Sequence, residues 1–301
     1  MSGVDRELEA EPPFDLIRTV RGLVTWGNTT WSRTSGGVAV WAERTAAGPA
    51  TVQLEQHGSR LLARAWGPGA ELLLDRVPSL LGLDRPPPEP LAGHPLIERL
   101  SPRFAGVRSG RIASIFPSLV SVILGQKVTG KEAAQAMRRL VRAWGDAAPG
   151  PHEGLWLVPE PADLARRGYA ELHPFGVERR RAEVVLEVAR RAKRLERAVD
   201  LPYAEADALL RLIRGIGPWT TGVILGDALG HEDAVPVGDY HLPNVVAFNL
   251  AGEPRADDAR MLELLEPWRG RRGRVVRLIG MGGEDPPRWG PRSEARDIRD
   301  L

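Results

Sequence analysis

The sequence predicts an α+β fold, in which a small mixed α/β domain with an antiparallel sheet precedes an all-α body. Three observations support this division. Short apolar patches separated by Gly, Ser and Asn run over residues 14–66, as expected of strands joined by turns. The Pro-rich run from Pro86 to Pro90 cannot continue a helix. Beyond it, apolar residues recur with a helical period.

The same patterns give the expected boundaries. We expect a disordered N-terminus over 1–11, the mixed α/β domain over 12–85, a Pro-rich linker over 86–92, the helical body over 93–280 and a C-terminal tail over 281–301. The expected strands are 14–24, 37–43, 50–55 and 60–66, followed by a helix at 70–82 that Pro78 interrupts. In the body the helical stretches are 118–144, 179–198, 205–213, 218–229 and 256–268, with a loop at 145–161.

Composition excludes several classes of protein. Of the 301 residues, 43% are hydrophobic and 27% charged, which is typical of a globular protein. No apolar run reaches the ~20 residues of a membrane span, and the acidic first residues do not resemble a signal peptide, so we expect a cytoplasmic protein. The absence of cysteine excludes disulfides, thiolate nucleophiles and iron–sulfur clusters.

The basic residues are grouped rather than dispersed, although the net charge is only +2. The groups are Arg138-Arg139 with Arg142, Arg179-Arg180-Arg181, Arg190-Arg191 with Lys193-Arg194, and Arg269 to Arg277. One such group is usually a solvated helix face, but several in one half of a chain favour a polyanionic partner.

A glycine hairpin joins two predicted helices. Gly215 and Gly217 flank Ile216, and Pro218 then opens a helix. Glycines permit the tight turn, proline suits the first helical position, and the free N–H groups can hold one phosphate. A dinucleotide-binding motif is rejected because the glycines follow a helix rather than a strand. An ordinary packing corner between two helices is the alternative.

Four segments together resemble the helix-hairpin-helix DNA glycosylase superfamily, and most closely its bacterial 3-methyladenine DNA glycosylase II branch. They are Gly215-Ile216-Gly217-Pro218-Trp219-Thr220, Gly238-Asp239-Tyr240, Val122-Ile123-Leu124-Gly125-Gln126-Lys127-Val128-Thr129 and, more weakly, Pro12-Pro13-Phe14-Asp15-Leu16. The resemblance covers roughly residues 12–280. It implies a helix-hairpin-helix glycosylase body that acts on a base flipped out of double-stranded DNA.

The resemblance implies that Asp239 is the catalytic carboxylate. Loss of a base gives the sugar oxocarbenium character, which a carboxylate stabilises while it orients or deprotonates the attacking water. The alternative is that Asp239 caps the following helix, and both roles can hold at once. His241 beside it invites a dyad, which the family mechanism does not need.

Trp219 points to the reaction subtype. Family members that also cut the backbone have a lysine nucleophile here, so the resemblance implies a monofunctional glycosylase that uses water. The indole would line the base pocket, with Val223 and Arg277 at the other pocket positions. An alkylated purine is the expected substrate. Because Arg277 would repel a cationic base, a neutral damaged base is the alternative, as is a DNA-binding module without activity.

The remaining expectations concern DNA and ions. The expected DNA-binding residues are Gly215, Ile216, Gly217, Thr220, Gln126 and Lys127, of which Lys127 stands where the family has an apolar wedge. The resemblance implies no cofactor except a Na⁺ or K⁺ ion on the backbone carbonyls of Arg211, Ile213 and Ile216. We expect a monomer that associates with the nucleoid when bound to DNA, with no membrane partner.

Overall fold

The N-terminal part is a five-stranded antiparallel sheet. A computed structural model describes residues 3–24 and 29–287. The strands lie side by side in the order β1-β5-β4-β3-β2. Their bounds are Val4–Glu9 (β1), Ser32–Ser35 (β2), Val38–Thr45 (β3), Gly48–His57 (β4) and Arg60–Trp66 (β5). The strands predicted over 37–43, 50–55 and 60–66 are confirmed as parts of β3, β4 and β5.

The disorder predicted over residues 1–11 is wrong for Val4–Glu9, which forms an edge strand, while residues 1 and 2 lie outside the described residues. β1 runs antiparallel to β5 from Val4 opposite Ala65 to Glu9 opposite Arg60. Its acidic side chains face basic ones: Asp5 accepts from Arg64, and Glu7 from Arg60 at 2.6 Å. The charges that resembled a solvated tail are cross-strand pairs on the exposed face.

The strand predicted over 14–24 is also wrong. Leu16–Arg21 is a helix (α1), and the Asp15 side chain caps it by accepting from the backbone N–H of Arg18 at 2.9 Å. Leu16, Thr19 and Val20 are buried, which is the i, i+3, i+4 spacing of one helix face. Six residues are too few for periodicity to separate a helix from a strand.

The interruption predicted at Pro78 does not occur. Helix α2 spans Ala70–Leu80 and includes Pro78 in its last turn. The Pro78 carbonyl accepts from the N–H of Leu83 at 2.7 Å, just beyond the helix end. Pro78 has no amide to donate to the carbonyl four residues before it, and the fold accommodates this loss in the last turn of the helix.

The body is helical. Its helices are Pro95–Arg103 (α3), Phe116–Leu124 (α4), Gly130–Trp144 (α5), Pro161–Ala165 (α6), Tyr169–Leu172 (α7), Arg179–Leu195 (α8), Tyr203–Arg211 (α9), Pro218–Val223 (α10), Leu242–Ala251 (α11), Asp258–Leu265 (α12) and Arg272–Gly282 (α13). No helix in the described ranges is long and apolar enough to cross a membrane. Of the tail predicted over 281–301, residues 288–301 lie outside the described residues.

Three predicted segments of the body differ in detail. The stretch 118–144 is two helices, because the chain turns after Gly125 and restarts at a Thr129–Glu132 capping box. The stretch 218–229 changes at Ile224 into a π-helical turn that ends at Ala228. The predicted loop 145–161 contains a small hairpin of β6 (Asp146–Ala147) and β7 (Trp156–Leu157).

Two hydrophobic cores underlie these elements. The first core joins the sheet to the central helices, with Leu54 and Leu61 in one cluster with Leu119, Leu140 and Val188. The second core is built from the chain around α3 and from α11–α13, and its members are Leu91, Ile97, Leu100, Phe104, Val107, Val235, Val246, Met261, Leu265, Trp268, Val275, Leu278 and Ile279. The two cores meet where Ala234 of the first is followed by Val235 of the second.

One prediction concerns Glu196, which caps α4 from across the first core. Its carboxylate accepts from the Ser114 hydroxyl at 2.7 Å and from the N–H groups of Ile115 and Phe116 at 2.9 and 3.0 Å. Burial nevertheless raises the pKa of Glu196 above its usual value. The folded state therefore binds this proton more tightly than the unfolded state, and the stability it contributes is lost as the pH rises through the folded-state pKa.

We expect the stability advantage of wild type over Glu196→Gln to shrink as the pH rises from about 4 towards 8, since glutamine does not titrate there. Denaturant unfolding of both proteins across this range measures the difference. An advantage that grows with pH would contradict the assignment.

Candidate active site

The candidate site lies where the two cores meet. Trp219, in the first turn of α10, packs against the first core, and Asp239 precedes α11, whose Leu242 packs against the second. The backbones touch between them: a Cβ at Gly222 would lie 2.5 Å from the carbonyl oxygen of Val235. Only glycine permits this approach, which brings the Asp239 loop against α10.

The Asp239 carboxylate is held by three donors. The indole N–H of Trp219 donates to Oδ2 at 2.9 Å. The backbone N–H groups of His241 and Leu242 donate to Oδ1 at 2.8 and 2.9 Å, so Asp239 also caps α11. Asp258 fixes the same loop by accepting from the N–H of Gly238 at 3.0 Å. The carboxylate remains partly exposed, and Tyr240 beside it is 86% exposed.

The hairpin brings its two glycines into different environments. Gly215 has φ +102°, and a Cβ there would lie 2.4 Å from Cγ2 of Val184 on α8. Ile216 is buried, and its N–H donates to the carbonyl of Ile213 at 3.0 Å, which closes the turn. Gly217 has ordinary extended backbone, and a Cβ there would meet open space. The open side of the hairpin is therefore at Gly217.

Gln126, in the turn that follows α4, supports the hairpin. Its amide nitrogen donates to the Gly215 carbonyl and to the Thr220 hydroxyl, both at 2.9 Å. Thr220 was predicted to contact DNA, but its side chain is buried on the inner face of α10, which leaves only its backbone for such a contact. The role found for Gln126 is to position the hairpin. A DNA contact of Gln126 stays a prediction.

Lys127 stands at the turn that follows Gln126. Its φ of +57° is the one positive value of a non-glycine residue in the described ranges. Its side chain is exposed. A left-handed conformation costs a lysine about 1 kcal/mol or more, and such strain is concentrated at functional sites. The turn directs an exposed cation outwards beside the hairpin.

The other residues predicted for the base pocket lie behind Trp219. Val223 is buried in the first core, one turn after Trp219. Arg277, on α13, donates from Nη2 to the Gly226 carbonyl at 2.9 Å. Its Nη1 lies close to Gly22, 3.6 Å from the position that a Cβ would occupy there. Arg277 thus joins α13 to the π-helical turn. The pocket roles of Trp219, Val223 and Arg277 stay predictions.

Two further predictions near the site concern His241 and a bound cation. His241 reaches Asp239 through its backbone N–H, and its ring lies edge-on to Tyr240 with centroids 4.9 Å apart. Within the described residues no cluster of three or more His, Asp or Glu side chains could hold a metal. A monovalent cation on the carbonyls of Arg211, Ile213 and Ile216 stays a prediction.

Comparison with known families agrees with this geometry. Residues 120–269 match the model of the HhH-GPD superfamily of base excision DNA repair proteins. The chain belongs to the helix-hairpin-helix DNA glycosylase superfamily. The matched range contains the Gln126 brace, the hairpin and the Trp219–Asp239 pair, so these features lie within the HhH-GPD domain.

Individual relatives of this HhH-GPD protein have low sequence identity to it. A Bacillus subtilis protein named DNA-3-methyladenine glycosylase is 26% identical over 58% of this chain and 59% of its own length, so the match spans little more than half of that relative. The 3-methyladenine DNA glycosylase from Archaeoglobus fulgidus has a TM-score of 0.74 at 21% identity, over 91% of this chain and 97% of that one.

A third comparison supports the fold alone. The 8-oxoguanine glycosylase/lyase from Clostridium acetobutylicum, solved in complex with double-stranded DNA, has a TM-score of 0.62 at 14% identity. It covers 82% of this chain and 95% of its own. The two chains therefore share a fold at an identity of only 14%.

Two features of the site were missed from the sequence. The close approach at Gly222 had one available signal, since a glycine inside a predicted helix is costly and calls for a packing reason. The Gln126 brace joins residues about ninety positions apart, and no local pattern indicates such a contact.

The two hairpin glycines are expected to respond differently to alanine. Gly215→Ala should destabilise the protein by about 2 kcal/mol or more, because the new methyl group meets Val184 and the backbone is left-handed. Gly217→Ala, the matched control, should cost no more than about 1 kcal/mol, because the new methyl group meets open space and only the N-cap of α10 is weakened. Urea unfolding measures both values. Equal losses at the two positions would contradict this distinction.

Proposed function

We propose that this protein is a monofunctional DNA glycosylase that hydrolyses the N-glycosidic bond of a flipped, damaged base and leaves an abasic site. The observation that carries the proposal is the Asp239 carboxylate, which is fixed by Trp219 and by the start of α11 yet partly open to solvent. A carboxylate that only capped a helix would not need the indole donor.

The chemistry follows from the position of this charge. As the C1′–N bond breaks, its electron pair leaves with the base and the sugar becomes an oxocarbenium ion. Asp239 stabilises that positive charge and accepts a proton from the water whose oxygen bonds to C1′. Because three donors already orient the carboxylate, little reorganisation is needed when the charge develops.

Double-stranded DNA is the proposed partner, held at the hairpin. The open space beside Gly217 admits a phosphate to the N–H groups at the start of α10, where the helix dipole favours an anion. Lys127 is exposed and follows Gln126, which hydrogen-bonds the hairpin. It therefore adds a positive charge near the hairpin. These contacts hold the backbone without reading sequence.

An alkylated purine is the proposed substrate class. Such a base is cationic and leaves readily, so a pocket with an aromatic face suffices. The indole of Trp219 offers that face, and the relatives from Bacillus subtilis and Archaeoglobus fulgidus carry the name 3-methyladenine glycosylase. A neutral damaged base is the second candidate, because Arg277 places a positive charge at Gly226, one turn beyond Val223.

Loss of the Asp239 charge should abolish excision. We expect Asp239→Asn to reduce single-turnover excision of 3-methyladenine or hypoxanthine from a duplex by at least about 100-fold, with binding to an abasic-analogue duplex retained. The control is Asp257→Asn. Asp257 likewise caps a helix, α12, by accepting from the N–H of Arg260, and asparagine is an equally good cap.

The two variants separate catalysis from capping. If both lose activity equally, the effect comes from the folded structure and not from the charge at Asp239. If wild type binds the duplexes but excises no lesion from a broad panel, the chain is a DNA-binding module without activity.

The reaction should proceed without a covalent enzyme–DNA adduct. Tryptophan at position 219 has no amine, and the three lysines of the chain are Lys127, Lys131 and Lys193. Borohydride added during turnover should therefore trap no protein on the DNA. An adduct that disappears in Lys127→Arg would show that Lys127 acts as a lyase nucleophile, and it would overturn the monofunctional assignment.

A further inference from the structure

A groove of about 660 Å³ lies beside the hairpin, between α8 and the chain that enters the turn. It is lined by Arg180, Glu183, Val184, Glu187, Arg190, Arg214 and Gly215. The residues from α8 recur at three- and four-residue intervals, so they form one face of that helix. Arg214 and Gly215 come from the hairpin itself, which makes the groove continuous with the proposed phosphate site.

The charge of this groove is positive, because its acidic side chains are already paired. Glu183 lies 3.8 Å from Arg179, and Glu187 pairs with both Arg190 and Arg191. Arg180 and Arg214 are exposed, and neither forms an ion pair with any of the described residues. Two free guanidinium groups therefore line the groove, next to Gly215.

The dimensions suit a polyanionic strand. From Arg180 to Arg190 the helix rises about 15 Å, which corresponds to the axial rise of about four base pairs of B-DNA. A guanidinium group binds phosphate oxygens through paired N–H donors, and it stays charged at any physiological pH. Acidic side chains that are locally neutralised do not oppose such a contact.

We propose that this groove binds the DNA backbone beyond the hairpin, so that Arg180 and Arg214 contact phosphates of the duplex on one side of the flipped nucleotide. The inference rests on the proposed function, since it extends the same DNA interface. It makes the interface asymmetric: the duplex arm that lies over α8 contributes more affinity than the opposite arm.

The test compares Arg180→Gln/Arg214→Gln with a charge-matched control, Arg99→Gln/Arg103→Gln. The control arginines are also exposed, and both lie on α3, away from the groove. Binding to a duplex with a tetrahydrofuran abasic analogue is measured by fluorescence anisotropy over a range of KCl concentrations. Excision by wild type and both variants is measured at low salt on a 3-methyladenine or hypoxanthine duplex.

The affinity of the groove variant for DNA should depend less steeply on the KCl concentration than that of wild type. The slope of log K against log[KCl] should fall by about 0.9 for each phosphate that is no longer neutralised, about 2 in total, while the control keeps the wild-type slope. Trimming the duplex on one side of the analogue should weaken wild type and leave the groove variant unchanged. At saturating DNA the variant should excise at the wild-type rate.

Two results would overturn the groove assignment while leaving the proposed function intact. One is an unchanged salt slope in the groove variant, and the other is an equal fall in the control. The proposed function fails separately, if wild type excises nothing from any lesion duplex.

Discussion

The structure around the site depends on one close backbone contact, between Gly222 of α10 and the segment that starts at Val235. A methyl group at Gly222 would meet the Val235 carbonyl at 2.5 Å and the Cα of Pro236 at 2.7 Å. This contact brings the helix that follows the hairpin against the loop that carries Asp239. This contact is required for the hydrogen bond from Trp219 to Asp239. The cap of α11 and the open side of the hairpin depend on it as well.

Within that frame, polar contacts position the groups that we propose act on DNA. Gln126, in the turn after α4, hydrogen-bonds Gly215 and Thr220, which ties the position of the hairpin to that of α4. Trp219 and α11 do the same for Asp239. Each contact is an ordinary hydrogen bond. Those of Gln126 and Trp219 matter because they fix the relative positions of elements that are far apart in the chain.

What could be predicted from the sequence was local. The hairpin glycines, Pro218 and the cap at Asp239 depend on neighbouring residues, and a pattern of a few positions is enough to indicate them. The edge strand Val4–Glu9 was missed because its charges are paired by Arg60 and Arg64, residues of a distant strand. The buried state of Thr220 and the contacts of Arg277 likewise depend on which helices become neighbours, which no short window shows.

The Trp219–Asp239 bond crosses the boundary between the first and second cores, and this has a consequence for heat tolerance. Trp219 is held by one core, and the chain on either side of Asp239 packs on the other through Val237 and Leu242. A slight loosening between the cores would separate the pair while each core stayed folded. The hydrogen bond between Trp219 and Asp239 should therefore be lost on warming below the temperature at which the chain unfolds, and stabilising either core alone would not prevent this.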